Sequence, residues 1–90
     1  MSKVYDDELE AIRKRSELAS RGPWKSFVEG RDHFSGSSFI MTGPEGSRGS
    51  DIDLSGATVA DQDFIAGARQ DIPRLLAEID RLRAVLQEKE

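Results

Sequence analysis

The stretch DIPRLLAEIDRLRAVL, Asp71 to Leu86, constrains this chain more than any other. Ile72, Leu75, Ile79, Leu82 and Leu86 step 3, 4, 3, 4 along it, the spacing of a heptad a/d seam. Leu76 and Val85 widen the stripe. The pattern predicts one amphipathic helix whose apolar face must be covered by the rest of the chain or by a second copy. Ile at two a positions and Leu at both d positions is a mix compatible with a parallel dimer. Self-association through Ile72, Leu75, Leu76, Ile79, Leu82 and Leu86 is the expectation, because the remaining segments offer little else to cover. The alternative is that the seam closes over a sheet within one chain.

A chain of 90 residues supports one small domain, which buries only roughly 60% of its unfolded surface. With no cysteine, disulfides, thiol nucleophiles and thiolate metal sites are excluded. The start, MSKVYDDELE, is acidic where a secretion signal is basic and then apolar, and no apolar run has the length of a membrane span. A soluble, cytoplasmic protein is expected. Net charge is −4 and evenly spread: five acids and four bases in 1–20, five and four in 21–57, seven and five in 58–90. Without a basic block, general nucleic-acid binding is disfavoured.

Residues 1–21 read as a helix, with Ser2 as N-cap, Asp6, Asp7 and Glu8 early, and Arg13, Lys14 and Arg15 later. Its apolar stripe is thin: Tyr5, Leu9, Ile12 and Ala19, with Leu18 to one side. Gly22-Pro23 ends it. Over 22–57 the period shifts to 2. Trp24–Glu29 and Ser37–Thr42 read as an antiparallel hairpin with a polar connection. Residues 43–50, GPEGSRGS, hold three of the eight glycines and read as a mobile loop. Asp51–Leu54 alternates acid and aliphatic, which fits a third strand or an extended segment; a meander is preferred, since a lone hairpin is marginal in water. Over 58–90 the chain is helical. Thr58-Val59-Ala60-Asp61 has the form of a capping box. Pro73 predicts a break near Arg69–Asp71, with Asp71 capping the long helix; a kinked continuous helix is the alternative, because Ile65 and Ala68 are in register with the seam.

The segment DQDFIAGARQDIPRLLAEIDRLR, Asp61 to Arg83, resembles a C-terminal signature of small accessory proteins of phages and prophages, the lambdoid Ead type among them. Phe64-Ile65-Ala66, Ala68-Arg69, Asp71-Ile72-Pro73, Leu75-Leu76, Glu78-Ile79 and Arg81-Leu82 carry the resemblance. Gly22-Pro23-Trp24 leading into a short sheet is similar to that group as well. The resemblance implies a phage or mobile-element setting and brings no defined activity or catalytic residue.

No catalytic set is legible. His33 is the single histidine, and Asp32, Ser35, Ser37 and Ser38 beside it lack the pattern of a nucleophile elbow. One histidine and scattered aspartates give no metal-ligand spacing, and no cofactor motif is present. Arg31, His33, Arg48 and Arg69, with Ser37, Ser38 and Thr42, form a candidate cationic, hydroxyl-lined patch for a small anionic, nucleotide-like ligand held between subunits. Ordinary surface residues are the plainer reading of the same set.

The expectation is therefore an α+β protein: an N-terminal helix, a three-stranded antiparallel meander, and a C-terminal helical pair ending in a long amphipathic helix. It is expected to act without catalysis, as a homodimer or higher oligomer that occupies a host or phage protein. Capture of a small anionic ligand is the alternative.

Overall fold

A computed structural model describes residues 3–34 and 36–88. The elements run α1 (Lys3–Leu18), β1 (Trp24–Phe27), β2 (Phe39–Thr42) and α2 (Val59–Glu88). The chain divides into two compact units: Ser20–Gln70 is one, and Met1–Ala19 with Asp71–Glu90 is the other.

In the first unit β1 and β2 pair antiparallel, with Trp24 opposite Thr42 and Phe27 opposite Phe39. The Phe27 and Phe39 rings stack across the strands at 5.3 Å. The interior is made by Val28, the fully buried Ile40, and Ala66 from α2, with Thr42 and Gln62 as buried polar members. The expected three-stranded meander is not formed. Its third segment makes a single bridge, Ile52 to Ile40, through N–H donations of 2.8 and 2.9 Å in the two directions. The alternation of Asp51–Leu54 is obeyed in burial, with Ile52 and Leu54 half-buried and the acids exposed. One residue later the chain enters the Ser55-Gly56 turn, so the segment is too short for a ladder. Residues 43–50 carry three backbone hydrogen bonds: Gly43 N–H donates to the Pro23 carbonyl, Ser47 N–H to that of Pro44 and Gly49 N–H to that of Thr42. Gly43 holds φ +87°, and a Cβ there would meet the Ser47 carbonyl at 2.9 Å, so this turn needs glycine.

The predicted capping box starts α2. Asp61 N–H donates to Thr58 Oγ1 at 3.0 Å, and Thr58 N–H donates to the Asp61 carboxylate at 3.1 Å. The expected break near Arg69–Asp71 does not occur. Residues 59–88 form one helix with Pro73 inside it, and Asp71 lies within it instead of capping a second helix. Proline removes one ladder bond, to the carbonyl of Arg69, at about 3 kcal/mol. Good helix formers on both sides carry the helix through that gap.

In the second unit α1 and the C-terminal part of α2 run antiparallel, with Arg13 on Asp80 at 3.2 Å and Arg83 on Asp6 at 2.6 Å. Leu76 is the one apolar side chain buried there among the described residues, 5% exposed. Ser2 as N-cap and the Tyr5 side chain lie outside the described residues.

Candidate functional site

The contact face predicted from the seam is only partly covered. Leu76 is buried and Ile72 and Ile79 are half-buried, whereas Leu75, Leu82 and Leu86 are 58%, 47% and 61% exposed. Between α1 and α2 lies an almost wholly apolar groove of about 460 Å³. Leu9 and Ile12 line it from α1, and Ile79, Leu82 and Leu86 from α2. Glu8 and Arg83 are its charged members. The Arg83 guanidinium spends Nη1 on Asp6, while its Nε and Nη2 are buried without an acceptor among the described residues. A buried donor left without a partner costs about 1–3 kcal/mol, more when charged, which makes this fork a place where an incoming acceptor gains.

The physical origin of the groove is the imbalance between two helices. On α2 the stripe from Ile72 to Leu86 is wider than α1, with its few apolar residues, can cover. Leu76 is covered, and Leu75, Leu82 and Leu86 are left largely in water, the last two in the groove beside Leu9 and Ile12.

The candidate anion patch has a different fate. Arg31 forks onto Asp63 at 2.8 and 3.1 Å and also donates to Asp32 at 2.8 and 3.0 Å. These bonds hold the carboxyls of Asp63 and Asp32 below their ordinary value of 3.8, with help from the Ser26 hydroxyl for Asp63 and from Val28 N–H for Asp32. The same contacts push the Arg31 guanidinium up. Arg48 pairs with Asp51 at 3.6 Å. Arg69 donates to the Ser20 carbonyl at 2.8 Å. Thr42 is buried and its hydroxyl donates to the Ser50 carbonyl. Ser37 lines a cavity of about 350 Å³ with Ser38, Asp53, Ser55, Thr58 and Gln62, and none of Arg31, His33, Thr42, Arg48 and Arg69 is in that lining. The His33 ring lies tilted against Phe39 at 5.4 Å, and its Nε2 is buried with no hydrogen-bond partner among the described residues. No nucleophile among them is therefore hydrogen-bonded to that nitrogen. Among the described residues, no group of three or more His, Cys, Asp or Glu is placed to hold a metal ion.

Sequence reasoning missed two polar side chains that dock α2 on the hairpin. The Gln62 amide donates toward Ser26 Oγ, the Phe27 carbonyl and the Phe39 carbonyl, at 2.9 to 3.1 Å. The Gln70 amide closes a two-way pair with the Trp24 backbone, accepting from its N–H at 2.9 Å and donating to its carbonyl at 3.1 Å. Residues 62, 66 and 70 lie four apart, so they share one helix face, with the small Ala66 between the two amides. That spacing is legible, but glutamine at i and i+8 is ordinary on a solvated face and gives no reason to choose it.

Among the described residues, no helix is long and apolar enough to cross a membrane. Comparison with known proteins finds no family model, no curated sequence and no solved structure that matches.

Proposed function

We propose that this chain is a non-enzymatic binding protein, an accessory protein of the phage or prophage type. It works by contact in the cytoplasm, oligomerising through the C-terminal part of α2 and occupying a host or phage protein. The observation that supports this reading is the row Leu75, Leu82 and Leu86, exposed beside an apolar groove in a unit with a single buried apolar side chain among the described residues. A helix pair this poorly covered gains from a partner, and helix-in-groove docking uses this kind of surface. The resemblance of Asp61–Arg83 to phage accessory proteins supports the setting. In the other unit Phe64, 76% exposed, and Ile65 line a second cavity with Leu54, an apolar patch available to a different protein.

The alternative, capture of a small anion between subunits, draws no support from the arginines. Arg31 and Arg48 already face carboxylates, and an incoming anion must displace them.

Native mass spectrometry of the full chain, purified without denaturation, tests the reading. The expected result is an oligomer without retained small-molecule mass, which Leu82→Lys converts to monomer while circular dichroism stays unchanged. A monomeric wild type carrying a small anionic compound would overturn it.

A further inference from the structure

We infer that the groove between α1 and α2 is closed by a second copy of this chain across a two-fold axis, with Glu8 of each copy meeting Arg83 of the other. This rests on the groove being the contact face. It is carried by a pair of charges that belong to one groove and do not meet within a protomer.

Glu8, on α1, is exposed and makes no ion pair or hydrogen bond among the described residues. Arg83, on α2, keeps two donors without an acceptor among them. Each is the complement the other lacks. In a two-fold dimer every contact between residues i and j recurs as j to i. A face with one unpaired acid on one helix and one unfinished guanidinium on the other is then self-complementary, and one symmetry operation satisfies both groups twice. Any other occupant must bring a cation for Glu8, an anion for Arg83 and an apolar ridge between them. A second copy already carries all three, with Leu75, Leu82 and Leu86 as the ridge. The Arg83 side chain keeps 30% of its surface in solvent while Nε and Nη2 are buried, so pairing with the incoming carboxylate requires the guanidinium to turn outward as the copies dock. Charge pairs that become desolvated in this way set register and orientation as much as affinity.

Sedimentation equilibrium of the full chain at low salt tests the arrangement by charge exchange. Wild type is expected to dimerise with a dissociation constant on the order of 10 μM, weak because the groove is short. Glu8→Arg places two arginines together at both contacts, and Arg83→Glu two glutamates; each alone is expected to raise the constant by about tenfold or more. An equimolar mixture of the two variants restores association to near the wild-type level, since every contact in the mixed dimer again joins opposite charges. The glutamate introduced by Arg83→Glu also faces Asp6 within its own protomer, so helix content is checked by circular dichroism. If Arg83→Glu loses helix, the uncharged pair Glu8→Gln and Arg83→Gln is run as a double-mutant cycle, with a coupling of about fivefold expected. Wild type that stays monomeric into the high-micromolar range overturns the inference, as does a mixture that fails to re-associate although both variants keep their helices, or a cycle without coupling. If Leu82→Lys abolishes association and the exchange changes nothing, the groove stands as a contact face and this two-fold arrangement falls.

Discussion

The two units solve the same problem, a surface too large for its cover, in opposite ways. Ser20–Gln70 closes a two-stranded hairpin by hydrogen bonding. Gln62 and Gln70 supply amides to backbone groups, and a chain of bonds runs from Asp63 through Arg31 and Asp32 to Val28 N–H. α1 with the C-terminal part of α2 relies on apolar contact and leaves much of its stripe in water. The first unit spends most of its buried polar groups on itself, His33 Nε2 excepted, though Phe34 and Phe64 stay exposed. The second leaves two Arg83 donors without an acceptor among the described residues, beside an exposed leucine row, and function is better sought where apolar and polar needs fail together. The strongest hydrophobic pattern in the chain thus lies largely exposed and does not form its deepest core.

Perturbations that separate the units sharpen this contrast. Leu76→Ala removes the one deeply buried apolar side chain of the helix pair and is expected to cost about 3 kcal/mol in urea denaturation. Leu75→Ala, on the exposed row, is expected to leave monomer stability within about 0.5 kcal/mol. Equal losses from the two would break the distinction between covered and uncovered sides of the stripe. Gln62→Leu keeps bulk but removes the donor that serves the hairpin carbonyls, with an expected cost of about 2 kcal/mol. A neutral result would mean that shape alone docks α2. Thr58→Ala removes the N-cap and is expected to cost about 1 kcal/mol. The loss is to be read as faster hydrogen exchange in the first turn of α2, with the Leu82 region unchanged.

The smallest effect concerns pH. Asp63 and Asp32 have folded-state values below 3.8, so the unfolded chain binds their protons first as pH falls. Their contribution is complete above 3.8 and is lost as pH drops through the lower folded values. Asp63→Asn is expected to flatten the acid limb of a stability-against-pH curve below pH 3.8 by slightly lowering the neutral plateau, with the two curves meeting at low pH. An acid limb unaffected by the substitution would remove Arg31 from the clamp.

Several features are legible in the sequence because they are local. The capping box at Thr58–Asp61 and the two pairing segments of the hairpin depend on a few neighbouring residues, whereas α1, expected to run to Gly22-Pro23, ends at Leu18. The third strand fails because alternation reports which way side chains point and not how many residues find a backbone partner. Pro73 misleads in the other direction: the local penalty is real, and it is outweighed by helix formers whose effect sums over many positions. In the sequence Arg31 reads as a free cation because its acid, Asp63, lies 32 residues away.

By itself the sequence determined the two helical regions, the hairpin between them, the seam of Ile72 to Leu86 and the capping box at Thr58–Asp61, since periodicity and capping act over a few residues. Only the tertiary structure decided which side of that seam is covered, that Gln62 and Gln70 hold the hairpin, and that Arg31 is spent on Asp32 and Asp63. Those outcomes depend on which groups the fold brings within hydrogen-bond reach, and spacing along the chain does not encode that distance.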